Sequence, residues 1–191
     1  MKNHLDAIIR AVDETRDEAV DLVQQLIRID NCVPPGRDYD KAVDLLLPLF
    51  REIGFEVERI DMPDEIFQQR CRSLYPAMNG VRSNLLATKN VGAKEGILWY
   101  AHLDTVPVVA SQWTYPPFDG VFKDGKIWGR GTADSKSEAI AALVAFRERA
   151  AKVLLPPTRS VEMARIRLAT LETGGKTPLG FGLQQGRALV R

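Results

Sequence analysis

The stretch "GILWYAHLD", residues 96–104, constrains the fold more than any other part of the chain. It is apolar for six of its first seven positions and too short for a typical helix, which predicts a strand buried on both faces. A polar His102 and Asp104 then follow where this strand should end. Such a strand belongs in the interior of a sheet rather than at a solvated surface.

The flanking sequence alternates helical and extended patterns. Apolar residues recur at helical spacing early in the chain and again after residue 38, although Pro48 falls inside the second segment. Residues 61–80 show no clear period. The predicted elements are helices over 3–28, 39–54 and 134–152, strands over 55–60, 83–89 and 160–172, and a hairpin over 120–129 turning at Asp124-Gly125. This order is typical of an α/β protein.

Composition narrows the class of protein. The 191 residues carry a net charge of +1 without a basic tail or face, which argues against nucleic acid as a partner. No apolar run is long enough to cross a membrane, and the first thirty residues are too charged for a signal peptide, so a cytoplasmic location is expected. Cys32 and Cys71 have neither metal-type nor redox-type spacing and are expected to be reduced thiols.

His102 and Asp104 form the first candidate site. Residues i and i+2 of a strand share a face, so both side chains should stand together at the carboxyl end of the strand, where open α/β sheets bind ligands. An aspartate beside a histidine can hold one ring nitrogen and aim the other at a metal. The alternative is a core histidine paired with a loop aspartate, and this pair alone does not decide between them.

The second candidate is Asp134, in the stretch "WGRGTADSKSE", residues 128–138. It sits where a glycine loop turns into a helix, so it could bind a cation or simply cap the helix. The spacing G-x-G-x-x-D lacks the third glycine of a dinucleotide loop, and no Gly-Lys-Ser/Thr of a phosphate-binding loop follows. A nucleotide site is therefore disfavoured.

Taken together, "AHLDTVPV", "PPFDG" and "DGKIWGRGTADSK" resemble the zinc-dependent amidohydrolases and exopeptidases of the acetylornithine deacetylase, succinyl-diaminopimelate desuccinylase, aminoacylase and carboxypeptidase G family. The resemblance runs from about residue 20 to about residue 186. It implies a three-layer α/β catalytic domain with a mostly parallel central sheet. It also implies hydrolysis of the amide bond of N-acyl amino acids or small peptides. One departure is Ser137, where the family usually has glycine.

The same resemblance assigns roles to the candidate residues. His102 would ligate zinc, Asp104 would be the catalytic-site residue that orients His102, and Asp134 would bridge two zinc ions, with cobalt or manganese as possible replacements. The chemistry is consistent, because two metal ions about 3.5–4 Å apart need a shared anionic ligand.

A third stretch, "ATLETGGKTPLGF", departs from the family. Aligning "ETGG" places Glu172 at a further zinc-ligand position but puts Leu171 where the family has its general base. Leucine cannot transfer a proton, and loss of a general base typically costs about 10²–10⁴-fold in rate. The family places one more acidic ligand, a second histidine and a lid and dimerisation domain later in the sequence, and we expect the 191-residue chain to lack them. His4, in the charged first helix, is expected to be solvated.

Residues 1–191 are therefore predicted to be the N-terminal portion of a truncated metallohydrolase catalytic domain. Two hypotheses follow: a metal-dependent hydrolase acting on a small-molecule N-acyl amino acid or peptide, or a non-catalytic relative that keeps the fold and at most partial metal binding. Apolar surface left uncovered by the truncation predicts self-association. Neither nucleic acid nor membrane is an expected partner.

Overall fold

Three helices form the core of the protein. The structure is a computed structural model, and it describes residues 2–92 and 96–147. Helix α1 spans Lys2–Ile27, α2 spans Tyr39–Glu52 and α4 spans Ser137–Phe146. Their apolar stripes meet in one cluster, made of Leu22, Val23, Leu26, Ile27, Ala42, Leu46, Ala139, Ile140 and Leu143. The two helices predicted from apolar spacing before residue 55 are thus confirmed, including Pro48 within α2.

An antiparallel ribbon packs against α2. Strand β1, Glu56–Asp61, pairs with β2, Ser83–Thr88, in a register that runs from Glu56 opposite Thr88 to Asp61 opposite Ser83. Both strands were predicted, the first from its alternating pattern. The connection between them contains the short helix α3, Asp64–Phe67, and a wider helical turn over Gln68–Arg72.

Arg82, at the end of that connection, holds two loops together. Its guanidinium donates to the carbonyl oxygens of Gly36, Asn79 (2.7 Å) and Pro35 (3.0 Å), and it lies over the ring of Tyr39 at 4.8 Å. The side chain is 9% exposed and forms no ion pair with any residue in the described ranges. Backbone dipoles therefore solvate this buried charge and fix the loop that precedes α2.

The predicted hairpin is confirmed. Strands β3, Val121–Lys123, and β4, Lys126–Trp128, pair antiparallel around a two-residue turn. Asp124 and Gly125 both have positive φ, 52° and 73°, as a type I′ turn requires.

The strand predicted over residues 96–104 is not formed. This segment has no regular secondary structure and no ladder partner in the part of the chain that the structure describes, and Leu98 and Tyr100 are 80% and 77% exposed. A strand exists only where a neighbouring strand pairs with it, and in the described residues β2 pairs with β1 and not with this segment. The predicted strand 160–172 lies outside the described residues.

The sequence also predicted a mostly parallel central sheet, and residues 2–92 and 96–147 do not contain one. Their sheets are two antiparallel pairs, and the parallel pairing among them is the isolated bridge between Cys32 and Thr105. Apolarity alone specifies neither the neighbour of a strand nor its direction. The observed architecture is thus mixed helix and small sheets.

Helix α4 begins three residues later than predicted, at Ser137, because Asp134 and Ser135 have non-helical backbone angles. Arg147, just after its last residue, forms an ion pair with Glu18 of α1. Among the described helices, none combines the length and apolarity needed to cross a membrane.

Candidate metal centre

His102 and Asp134 lie in direct contact although 32 positions separate them. The Nε2 atom of His102 is 2.8 Å from Oδ1 of Asp134. On the other side of the ring, Nδ1 is 3.0 Å from the backbone oxygen of Asp104 and 3.5 Å from its carboxylate. The three residues that sequence analysis singled out in this region therefore form one cluster, with His102 at its centre.

The two ring nitrogens of His102 both face oxygen acceptors. Burial disfavours the imidazolium ion, but the hydrogen bonds to Asp134 and to the Asp104 backbone outweigh it, so the pKa of His102 is raised above its usual value. The pair of Nε2 and the Asp134 carboxylate is thus a site that stabilises positive charge. An imidazole nitrogen beside a carboxylate oxygen is also a donor pair that zinc accepts.

Asp104 holds the ring differently from the expectation. The backbone carbonyl of Asp104, not its carboxylate, makes the shorter contact with Nδ1. The Asp104 carboxylate also acts on Tyr39, whose pKa is raised by burial and by the Asp104 charge. Tyr39 therefore remains neutral beside Asp104. Its position at the start of α2 gave no sequence signal of a role at this site.

Ser135 fastens the Asp134 loop to the backbone of His102. Its hydroxyl accepts a hydrogen bond from the His102 amide (3.2 Å) and donates one to the His102 carbonyl (2.9 Å). The side chain is 2% exposed. Asp134 itself is exposed, and the buried Ser135 next to it fixes the position of the loop.

Lys136 fastens the same loop to helix α1. Its ammonium, completely buried, donates to the carbonyl oxygens of Leu26 (2.8 Å) and Ile29 (2.9 Å). These groups lie at the carboxyl end of α1, where carbonyls lack helical partners and the helix dipole favours a cation. Burial lowers the pKa of Lys136 to about 8. Sequence reasoning missed this lysine because lysine is ordinarily a surface residue.

Gly131 allows the loop to pass close to the chain after His102. Its φ is +82°, and a Cβ placed on it would lie 2.5 Å from Cγ2 of Thr105. The sequence pattern had indicated glycine conformations beside a site, and here both the backbone angle and the close approach require glycine.

A cleft of about 260 Å³ opens beside the cluster. It is lined by His102, Asp104, Thr105, Val106 and the residues from Gly129 to Asp134. The guanidinium of Arg130 lies over the ring of Trp113 at 5.0 Å in this region. The cleft can admit a small polar molecule next to His102 and Asp134.

Not every predicted site residue can be placed. Glu172 and Leu171 lie outside the described residues. Within residues 2–92 and 96–147, no group of three or more His, Cys, Asp or Glu side chains is arranged to hold a metal ion. His102 and Asp134 thus provide two donors of a site that needs more.

Comparison with known proteins identifies similar sequences and folds. Residues 98–164 match the model of "Peptidase family M20/M25/M40". Succinyl-diaminopimelate desuccinylase of Delftia acidovorans is 33% identical over 137 residues, which cover 71% of this chain and 32% of that enzyme. The enzyme of the same name from Acidovorax ebreus is 32% identical over 128 residues, 66% of this chain and 30% of the relative.

A solved structure, human carnosine dipeptidase 1, shares the fold with a TM-score of 0.60 and 22% identity. The match covers 78% of this chain and 32% of that one. The chain therefore spans about a third of the length of the relatives that it matches.

Proposed function

We propose, from the place of this chain in peptidase family M20/M25/M40, that it is part of a metal-dependent hydrolase that cleaves the amide bond of N-acyl amino acids or small peptides. Residues 1–191 would be the N-terminal portion of its catalytic domain, working in the cytoplasm. The observation that carries the proposal is the 2.8 Å contact between His102 Nε2 and Asp134 Oδ1, inside the segment that matches the family.

The donor atoms suit a divalent metal, with zinc as the proposed ion. His102 and Asp134 would hold it, and Glu172 would add a third donor. The fit is supported by the donor types, because the imidazole Nε2 of His102 and a carboxylate oxygen of Asp134 lie 2.8 Å apart and both residues line the cleft. When bound, zinc supplies Lewis acidity to a substrate carbonyl and to water.

The protein residues prepare this chemistry. Asp104 keeps Nδ1 of His102 occupied by a hydrogen-bond acceptor, so Nε2 faces the ligand position. Ser135 and Lys136 keep the Asp134 loop against His102 and α1. The cleft beside these residues would receive the amide.

Leu171 stands where the family resemblance expects a proton acceptor. We therefore expect the 191-residue chain to bind zinc but to hydrolyse substrate slowly, by about 10²–10⁴-fold relative to an enzyme with a general base. A non-catalytic relative is the alternative, and it differs in having no measurable turnover even with a base restored.

The first experiment measures zinc affinity of the purified chain by competition with a chromophoric chelator. Wild-type protein and His4→Ala should bind zinc alike, whereas His102→Ala and Asp134→Asn should lose at least tenfold in affinity. A wild-type chain that binds no zinc, or a His102→Ala variant with unchanged affinity, would overturn the metal assignment.

The second experiment measures zinc-dependent release of amino acid from N-acetyl and N-succinyl amino acids. Leu171→Glu should raise the rate, and the added His102→Ala should abolish the gain. If neither the wild type nor Leu171→Glu shows turnover while zinc is bound, the non-catalytic alternative is correct.

A further inference from the structure

We propose that Asn79 is a site of spontaneous deamidation, and that Arg82 directs the reaction to an isoaspartyl product whose carboxylate pairs with the Arg82 guanidinium. The reacting dipeptide, Asn79-Gly80, belongs to the connection between β1 and β2. Neither residue lines the cleft beside His102, so the proposal is independent of the proposed function.

The two groups that react in a deamidation are both accessible at this dipeptide. Asn79 is exposed, and its side-chain amide has no hydrogen-bond partner in the part of the chain that the structure describes. Gly80 is exposed as well, and its backbone N–H donates to no acceptor among the same residues. Because glycine has no side chain, nothing shields its nitrogen from the carboxamide carbon of Asn79.

The chemistry needs water and no other reagent. The Gly80 nitrogen loses its proton to water and bonds to Cγ of Asn79, the Cγ–Nδ2 bond breaks, and ammonia leaves a cyclic imide. Water then adds to one of the imide carbonyls, and the bond from that carbon to the Gly80 nitrogen breaks as the nitrogen regains a proton. Addition at Cγ gives aspartate. Addition at the main-chain carbonyl gives isoaspartate, in which the former main-chain carbonyl is a free carboxylate.

Arg82 contacts the carbonyl that decides between these products. Its Nη1 atom donates to the main-chain oxygen of Asn79 at 2.7 Å. A hydrogen bond from a charged donor withdraws electron density from a carbonyl and stabilises the negative charge that develops on its oxygen during addition. Water is therefore directed to the main-chain carbon, and isoaspartate is the favoured product.

The loop that precedes α2 holds this contact in place. The amide of Asn79 donates to the carbonyl of Pro35 at 2.9 Å, and Arg82 donates to the same carbonyl at 3.0 Å. A Cβ placed on Gly80 would lie 3.0 Å from the carbonyl oxygen of Gly36, which Arg82 also contacts. Both the reacting carbonyl and the guanidinium are thus anchored to one short segment.

The isoaspartyl product supplies the partner that Arg82 lacks. The side chain is 9% exposed, and within the described residues its acceptors are carbonyl oxygens and not carboxylates. Isoaspartate converts the oxygen that Arg82 already contacts into a carboxylate oxygen. A neutral hydrogen-bond acceptor next to a buried cation becomes a charged one, which strengthens the contact.

The test is to incubate the 191-residue chain in a mildly alkaline buffer, either folded or unfolded in guanidinium chloride. Brief digestion with trypsin releases residues 73–82 as one peptide, and mass spectrometry with electron-transfer fragmentation distinguishes isoaspartate from aspartate. In the folded chain, the ratio of isoaspartate to aspartate should be at least twofold higher than in the unfolded chain. Equal ratios, or an Asn79 that does not react in the folded chain, would rule out the proposal.

Asn90 provides an internal control for the reaction rate. It is exposed like Asn79, but Val91 follows it, and its Oδ1 atom accepts a hydrogen bond from the amide of Gly92 at 2.8 Å. Asn79 should deamidate at least tenfold faster than Asn90, because the β-branched valine shields its own nitrogen. Similar rates at the two positions would contradict the assignment of Asn79 as a specific site.

Variants then assign the product ratio to Arg82. Arg82→Gln should lower the ratio in the folded chain to that of the unfolded chain, whereas Arg82→Lys should keep part of the excess. The exposed Arg70→Gln is the matched control and should keep all of it. A folded Arg82→Gln chain, verified by circular dichroism, that retains the wild-type ratio would disprove the role of Arg82. If Arg82→Gln fails to fold, the comparison of folded with unfolded wild type still decides the proposal.

Discussion

The hydroxyl of Ser135 bonds both backbone groups of His102, accepting from its amide and donating to its carbonyl. A single buried side chain thereby joins two segments that lie 33 positions apart. Asp134, which contacts His102, is exposed. The two buried residues that follow it, Ser135 and Lys136, hold it in place. A small buried polar residue beside the site therefore helps to position a residue that would touch a ligand.

Replacing Ser135 by alanine should weaken both folding and zinc binding. The change leaves the His102 amide and carbonyl without these partners, which we expect to lower the free energy of unfolding by about 1–2 kcal/mol. Urea unfolding measures the stability and chelator competition measures the zinc affinity. Ser137→Ala is the control, because Ser137 bonds Thr132 in the same loop and does not touch His102. Equal zinc affinities of the two variants would argue against a positioning role for Ser135.

Replacing Lys136 by methionine should destabilise the chain. Methionine fills similar space but leaves the carbonyls of Leu26 and Ile29 without their buried donor, at an expected cost of about 1–3 kcal/mol. Lys126→Met, at an exposed position of the hairpin, should change stability by less than about 0.5 kcal/mol. Chemical denaturation followed by circular dichroism compares them. Similar unfolding midpoints for the two variants would show that the hydrogen bonds from Lys136 to the end of α1 contribute nothing to the stability of the fold.

Two glycine substitutions should separate backbone strain from steric overlap. Gly131→Ala combines an unfavourable φ with a contact of 2.5 Å to Thr105, whereas Gly125→Ala has the unfavourable φ of 73° and open space around it. We expect about 1 kcal/mol of destabilisation for Gly125→Ala and clearly more for Gly131→Ala. Thermal unfolding of both variants measures the difference, and equal losses would show that the Thr105 contact relaxes freely.

Asp61 should make stability depend on pH in the acid range. Hydrogen bonds from Arg59 and Ser83 hold the pKa of Asp61 below its usual 3.8. The folded-state pKa is depressed, so the contribution is present above pH 4 and disappears as the pH falls through the folded-state value. The stability difference between wild type and Asp61→Asn, measured by urea unfolding, should therefore shrink from pH 6 to pH 2. A constant difference would contradict this interpretation.

Local patterns predicted the local structure well. Apolar spacing located α1 and α2, alternation located β1, and the Asp124-Gly125 pair located the hairpin turn, because each depends on neighbours within a few residues. Whether the apolar run at 96–104 forms a strand depends instead on which strand lies beside it, a relationship between distant residues that local patterns do not reveal. Its prediction as a buried strand was wrong for that reason.

The candidate site divides in the same way. The short motifs around His102 and Asp134 indicated which side chains would meet, and the structure places them 2.8 Å apart. Their roles as zinc ligands stay predictions, as does that of Glu172. Ser135 and Lys136 escaped notice because serine and lysine near a helix start are usually solvated. Only the packing of α1 against the loop turns them into buried anchors.

Because Lys136 is completely buried, its reactivity reports on how often the loop opens. An amine-reactive reagent can reach this nitrogen only after the loop has separated from the end of α1. The modification rate of Lys136 can be compared with that of exposed lysines. The ratio of the two rates measures how often the loop that bears Asp134 opens in the native protein.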